Sequence, residues 1–271
     1  MVPARLLLLP WIVGLLAAAG PVRAQDAAGF PPAEPDAPDL VDPDCTFPDA
    51  AETVLEDQGL VLRIWRFPWD ELYAGPALPD DTGYHAYRAV IRAAGVEERY
   101  PVFVVPDGLD AAEAVVWRDE AFNNEMVYSG EAGTVERITC LDALIFAQQN
   151  ARVPQIERGT EFIASVLRRS AEGREEVAVV FGAGEELFPP NSVYGFDIVD
   201  DHVDEGWSYW YLIHNHTRQR NGALGVPIPS TSDVRLVRWL AETRGLERAR
   251  VTNGFYTFDA AIDELREFRW R

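Results

Sequence analysis

The sequence predicts a mixed α/β (α+β) fold: a mixed sheet flanked by helices in the C-terminal half, and a smaller N-terminal α/β region of unknown fold. Two observations support this. The composition, 48% hydrophobic and 25% charged, is that of a globular chain with a core to bury. Short runs of β-branched and aromatic residues bounded by Gly, Pro and Asp also alternate with segments of helical period.

Element by element, residues 1–24 differ from the rest. Arg5 precedes an apolar run, Leu6 to Ala19, and Val22-Arg23-Ala24 puts small or aliphatic residues before Gln25. This reads as a secretory signal peptide; the alternative is an uncleaved anchor, although Pro10 interrupts the run. Residues 25–44 are rich in Pro, Asp and Ala and read as an extended acidic linker. Residues 45–137 read as an N-terminal domain of unknown function. It has strands at Leu60–Phe67 and Tyr100–Val105 and helices at Tyr84–Arg92 and Asp110–Trp117.

Residues 138–271 form the second predicted domain. Thr139 is placed to cap a helix that Pro154 ends. Strands follow at Glu161–Leu167, Glu176–Phe181, Val193–Val199 and Trp207–Ile213, with His214 at the end of the last. Ser230 opens a helix whose Val234, Val237 and Leu240 keep helical spacing. A strand over Val251–Phe258 and a short terminal helix complete the chain. Trp207, Trp210 and Trp239 read as core, with a carbohydrate platform as the alternative, and His202 reads as part of a solvated acidic turn, with a spare metal ligand as the alternative.

There are 44 acidic and 24 basic side chains, a net charge of −20. A chain this acidic is repelled by phosphate backbones and anionic lipid, which argues against nucleic acid as a partner. No stretch after the leader is apolar enough to span a bilayer, so no integral membrane segment is expected after signal cleavage. The chain is expected to be exported, periplasmic or secreted. There the two cysteines, Cys45 and Cys140, can form a disulfide; two inert thiols are the alternative. Two cysteines cannot make a four-thiolate zinc site, so a metal would need His and carboxylate ligands.

One segment carries chemistry. In His214-Asn215-His216 the imidazoles are two residues apart, and in a strand such residues share a face. Asp233 follows in the first turn of the predicted helix. His214, His216 and Asp233 are three protein ligands that leave a position for water, the layout of a catalytic Zn2+ site. Such a site needs a base that is not a ligand. Glu161, at a strand start, is the candidate, with Glu157, Glu175 and Glu176 as alternatives. Ser230 can cap the helix or donate a hydrogen bond to a developing oxyanion. The letters His-Asn-His do not indicate the nuclease of that name, whose residues are spread over a ββα unit.

This pattern, a glutamate on an early strand, then His-x-His, then Ser-x-x-Asp, resembles the JAMM (JAB1/MPN/Mov34) metalloproteases. It appears here as Glu161, His214-Asn215-His216 and Ser230-Thr231-Ser232-Asp233. His-Asn-His with Pro-Ser-x-x-Asp is also similar to the RadC branch. The resemblance covers residues 138 to 271, about half the chain. It implies a JAMM-like metallohydrolase domain with zinc on His214, His216 and Asp233. Glu161 would be the general acid/base and Ser230 would steady the tetrahedral intermediate. A peptide or protein would be the substrate, cleaved at a peptide or isopeptide bond. The alternatives are a non-catalytic scaffold of the same fold and a zinc amidohydrolase acting on a cell-envelope amide. Thr217 stands where the family usually has proline, and the 13-residue spacer from Thr217 to Pro229 is longer than usual, with Arg218–Gly222 reading as a loop insertion. The long helix that the family often places between the second strand and the histidine strand is not evident in the sequence.

Overall fold

A computed structural model describes residues 39–93, 108–216 and 224–270. The predicted signal peptide, most of the linker, the strand expected at 100–105 and the insertion at 218–222 lie outside the described residues.

The elements in chain order are β1 (Glu52–Asp57), β2 (Leu60–Pro68), α1 (Thr82–Ala93), α2 (Ala111–Tyr128), β3 (Thr134–Arg137), α3 (Cys140–Arg152), β4 (Phe162–Ala171), β5 (Arg174–Ala183), α4 (Phe196–Asp204), β6 (Ser208–Asn215), α5 (Thr231–Arg244), β7 (Arg248–Thr252) and β8 (Tyr256–Ala261). Among the described residues the strands form one mixed sheet of eight, ordered β1-β2-β5-β4-β6-β7-β8-β3. All pairs are antiparallel except β6 with β7, which α5 connects as a crossover. The sheet runs across the boundary expected near residue 138. β2 pairs with β5 from Val61↔Ala183 to Pro68↔Glu176, and β3 closes the far edge on β8.

Strand alternation gives the sheet two buried faces. Phe162, Ala164, Val166, Val177, Val179, Phe181, Tyr211 and Ile213 point to one, beside Tyr84 of α1 and Phe146 of α3. Ile163, Leu167, Ala178, Val180 and Leu212 point to the other, beside Val199 of α4 and Val234, Val237 and Leu240 of α5. Each fully buried Val, Leu, Ile or Phe contributes about 1.5–3 kcal/mol relative to exposure, so a central strand buried on both faces reads as an almost unbroken apolar run.

The helix ends follow their caps. Thr139 accepts the Asp142 N–H at 3.3 Å and starts α3. α5 starts at the Ser230 capping box and stops at Gly245, whose φ of +69° is left-handed. A disulfide joins Cys45 to Cys140, tying the chain before β1 to the start of α3. Among the described residues no helix is long and apolar enough to cross a membrane.

Several expectations are corrected. Val193–Val199 is not a strand: a short 3₁₀ turn at Asn191–Val193 leads through Gly195 (φ +65°) into α4. The alternating apolar residues suggested a strand, but Val199 and Val203 fall on one helical face and pack on the sheet. A helix therefore does stand between β5 and the histidine strand. His202 lies in that helix and is buried, its Nδ1 bonded to the Ile198 carbonyl at 2.8 Å and its Nε2 accepting from Arg66 at 3.2 Å. Val251–Phe258 is a hairpin, β7 and β8, turning at Asn253-Gly254 where Gly254 has φ +84°. The terminal helix is one 3₁₀ turn, Ile262–Leu265. Trp207 is buried, but Trp239 is exposed, covered only in part by Arg244 and Phe196.

Candidate metal centre

The parallel β6-α5-β7 unit brings two sequence-distant groups together. The carboxyl end of β6 presents His214 on the Leu212 face, and His216 follows just beyond the strand. The crossover helix then begins beside them, with Asp233 in its first turn. A site outside the carboxyl end of a strand, at a helix N-terminus, is where an α/β sheet commonly binds ligands.

The ligand atoms of His214, His216 and Asp233 all lie within 4.8 Å of one another. His214 Nε2 is 3.3 Å from His216 Nε2 and 3.3 Å from Asp233 Oδ2, and His216 Nε2 is 3.2 Å from that same oxygen. These near-equal edges match one face of a tetrahedron whose centre-to-corner bonds are about 2.0–2.1 Å, the zinc–nitrogen and zinc–oxygen range. The donor set thus fits a divalent cation with one corner left to solvent or substrate. The group could hold a metal ion, and its chemistry does not select which one.

Second partners fix each ligand. His216 Nδ1 lies 2.6 Å from the Val226 carbonyl, which can only accept, so the neutral ring keeps its proton on Nδ1 and Nε2 is the nitrogen that can offer a lone pair to a metal. The Ser230 backbone N–H donates to Asp233 Oδ2 at 2.7 Å, while Ser230 Oγ accepts the Asp233 N–H at 3.3 Å. Ser230 Oγ also lies 2.8 Å from Ser232 Oγ. The capping role expected of Ser230 is therefore present.

Glu161 stands one residue before β4, the strand next to β6. It is not part of the three-ligand group, but its charge couples to both imidazoles and to Asp233. Burial raises its pKa to about 7, against the lowering pull of His216 and His214. Its backbone N–H bonds the Leu187 carbonyl at 2.8 Å. The other glutamates lie elsewhere: Glu175 and Glu176 sit at the far end of β5, where Glu176 pairs with Arg169, and Glu157 lies in the turn after α3.

The pairing electrostatics are mutual. Burial alone would raise the Asp233 pKa, but the two imidazoles hold it well below the usual carboxylate range. Burial would lower the His216 pKa, and the hydrogen bond and charge of Asp233 instead push it to about 9.

Three further residues border the site in roles that no sequence pattern announces. Asn215, fully buried between the histidines, accepts the Phe162 N–H at 2.7 Å and donates to the Thr160 carbonyl at 3.0 Å. Glu120 of α2 accepts a bond from the Thr231 backbone, and burial and the charge of Asp233 raise its pKa to about 7. Tyr194 follows the turn that crosses Gly182; its pKa is raised by burial and by the charges of Asp233 and Glu161. No family model, curated protein or solved structure matches the chain.

Proposed function

We propose that the chain is an exported zinc-dependent metallopeptidase of the JAMM type, cleaving a peptide or isopeptide bond with water. The observation that carries this is the near-equilateral triangle of His214 Nε2, His216 Nε2 and Asp233 Oδ2 beside a half-buried carboxyl, Glu161, that is not one of its corners.

Zinc bound by these three residues would polarise the substrate carbonyl and acidify water. Glu161 takes a proton from the attacking water as the new C–O bond forms. It then returns that proton to the leaving nitrogen as the C–N bond breaks. A carboxyl pushed up to about 7 suits both transfers near neutral pH. The Ser230 hydroxyl accepts the Asp233 N–H, so its own proton can turn toward the negative charge developing on the carbonyl oxygen. Val226, by holding the His216 tautomer, keeps the ligand nitrogen in place. The Cys45–Cys140 disulfide supports an oxidising compartment and so export.

The test is elemental analysis and peptide-library hydrolysis on purified protein. Wild type should hold one zinc per chain and hydrolyse; Glu161→Gln should keep the zinc and lose turnover; His216→Ala should lose both. Zinc-free protein after preparation with zinc present, or an active Gln variant, would sink the reading.

A further inference from the structure

On the sheet face opposite the metal centre, a cavity of about 350 Å3 lies between the 3₁₀ turn Glu71–Ala74, the start of α3 and strands β6, β7 and β8. Trp69, Tyr73 and Trp210 line it. Trp210 reaches it because β6 is bulged: the β4–β6 register slips between Val166↔Tyr211 and Leu167↔Tyr209, leaving Trp210 as the extra residue. A bulge re-aims a side chain, and here it sets Trp210 against Trp69, with ring centroids 5.1 Å apart at 80°. Both indoles are half-buried, and neither indole N–H has a hydrogen-bond partner among the described residues.

The floor is charge-paired. Asp142, fully buried, takes Arg250 Nη1 at 3.2 and 3.3 Å and the Tyr211 hydroxyl at 3.3 Å. Arg250 Nη2 reaches Asp259 at 3.1 Å, and the guanidinium lies 4.0 Å above the Tyr211 ring. Beside this network Thr257, 4% exposed, lines the cavity, and its buried hydroxyl has no hydrogen-bond partner among the described residues. At the rim the exposed carboxylates of Glu71 and Glu175 carry no ion pair among the described residues.

These groups discriminate among ligands. Five carboxylates against three guanidinium groups line the cavity, which disfavours an anion. An apolar ligand would leave the Thr257 hydroxyl buried and unpaired. A cation would suit the rim carboxylates, but it would meet Arg250 and the Arg168 guanidinium, 5.0 Å over Trp210, and leave both indole N–H groups idle. A neutral polyhydroxylated ring uses everything: its hydroxyls donate to the carboxylates and accept from the indoles, and its C–H face lies on an aromatic ring. We propose that this cavity is a saccharide-binding site, separate from the metal centre and independent of what that centre does.

The test is saturation-transfer NMR on the full chain with maltotriose, cellotriose, chitotriose and, as the cationic control, spermidine. At least one trisaccharide should bind saturably. Thr257→Val and the rim double variant Glu71→Gln/Glu175→Gln should each weaken it about tenfold, the scale of one lost charged or buried hydrogen bond. Trp210→Ala should abolish it, and the two rim positions, being exposed, keep the test valid if that variant misfolds. No saturation with any of the three sugars overturns the proposal. So does sugar binding that both the Val and the rim variants leave unchanged, or saturation by spermidine alone.

Discussion

Asn215 grips the backbone on both sides of Glu161: its Oδ1 accepts from Phe162 N at 2.7 Å, and its Nδ2 donates to Thr160 O at 3.0 Å. The residue between the two histidines therefore sets where the proposed base stands. The imidazoles and the carboxylate do not depend on loop chance for their alignment. They share one buried amide, which spans the two neighbouring strands β4 and β6.

Asn215→Ala should separate positioning from ligation. The variant orphans a buried N–H and a buried carbonyl, which costs about 1–3 kcal/mol of stability. Loss of a supporting partner of this kind costs about 10–100-fold in activity. Zinc content by elemental analysis should stay near one per chain while kcat falls. A variant that loses zinc but turns over normally at saturating metal would show that the amide serves the histidines and not Glu161.

Metal affinity should climb with pH. His216, raised to about 9 by the Asp233 pairing against the lowering effect of burial, must shed its proton to offer a lone pair. In the metal-free protein that raised pKa is a stabilising contribution, fully present below the unfolded value near 6.5. It fades as pH rises through about 9. Binding therefore releases a proton over this window, and zinc restores stability most strongly at the alkaline end. Calorimetric zinc titrations at pH 6, 7, 8 and 9 in buffers of different ionisation enthalpy would measure it. A flat affinity across that range would contradict the His216–Asp233 electrostatics.

Much of this arrangement was legible in the sequence, and the exceptions have physical reasons. β2, β4, β5 and β6 announce themselves by apolar runs, and α3 and α5 by Thr139 and Ser230 ahead of a helical period. The Ser230-x-x-Asp233 spacing that marks a helix start is the same spacing that aims Asp233 at the histidines, so cap and ligand were read together. Residues 193–199 misled because aromatic and β-branched residues alternate there. Gly195 packs so closely on Val180 and Leu62 that a Cβ would meet Val180 at 2.7 Å, and the left-handed glycine turns the chain into α4 instead. The hairpin at Asn253-Gly254 did carry its turn signal. Glu120 carried none: α2 has no apolar stripe, burying Asp119, Asn123 and Asn124, so nothing local marks which of its acids meets the site. The long-range pairing of β2 with β5 is likewise invisible to any local pattern.

Gly182→Ala tests the close approach that carries Tyr194 to the site. Gly182 sits in a row across the sheet, opposite Ile163, which is itself opposite His214. The Val193 carbonyl presses on it so tightly that an added Cβ would lie 1.6 Å from that oxygen. Backbone, not a flexible side chain, is in the way, so the turn must lift. The expected cost is about 2–4 kcal/mol in urea unfolding, at the upper end of overpacking losses. Gly173→Ala, at a hairpin glycine with φ +77° and nothing near its Cβ, gives the comparison for backbone strain alone. Equal losses at the two positions would mean that the Val193 contact is not the tight one.

Reducing the Cys45–Cys140 bridge should weaken the fold without touching the metal ligands. The bridge closes a loop of 95 residues, which contains β1, β2, α1, α2 and β3. In the chain-entropy description a loop of this size restrains the unfolded chain by about 4–5 kcal/mol, and native bridges commonly contribute about 2–5 kcal/mol. Both sulfurs are fully buried in the core face that α3 covers, so Cys45→Ala/Cys140→Ala adds a small packing loss to the entropic one. Denaturant midpoints with and without reductant should differ, and the difference should vanish in the double variant. Zinc binding at low denaturant should be unchanged, because His214 on β6, His216 just beyond it and Asp233 on α5 lie on the other face of the sheet. If reduction instead released the metal, the two faces would be coupled through β4 and the ligand set would depend on the disulfide.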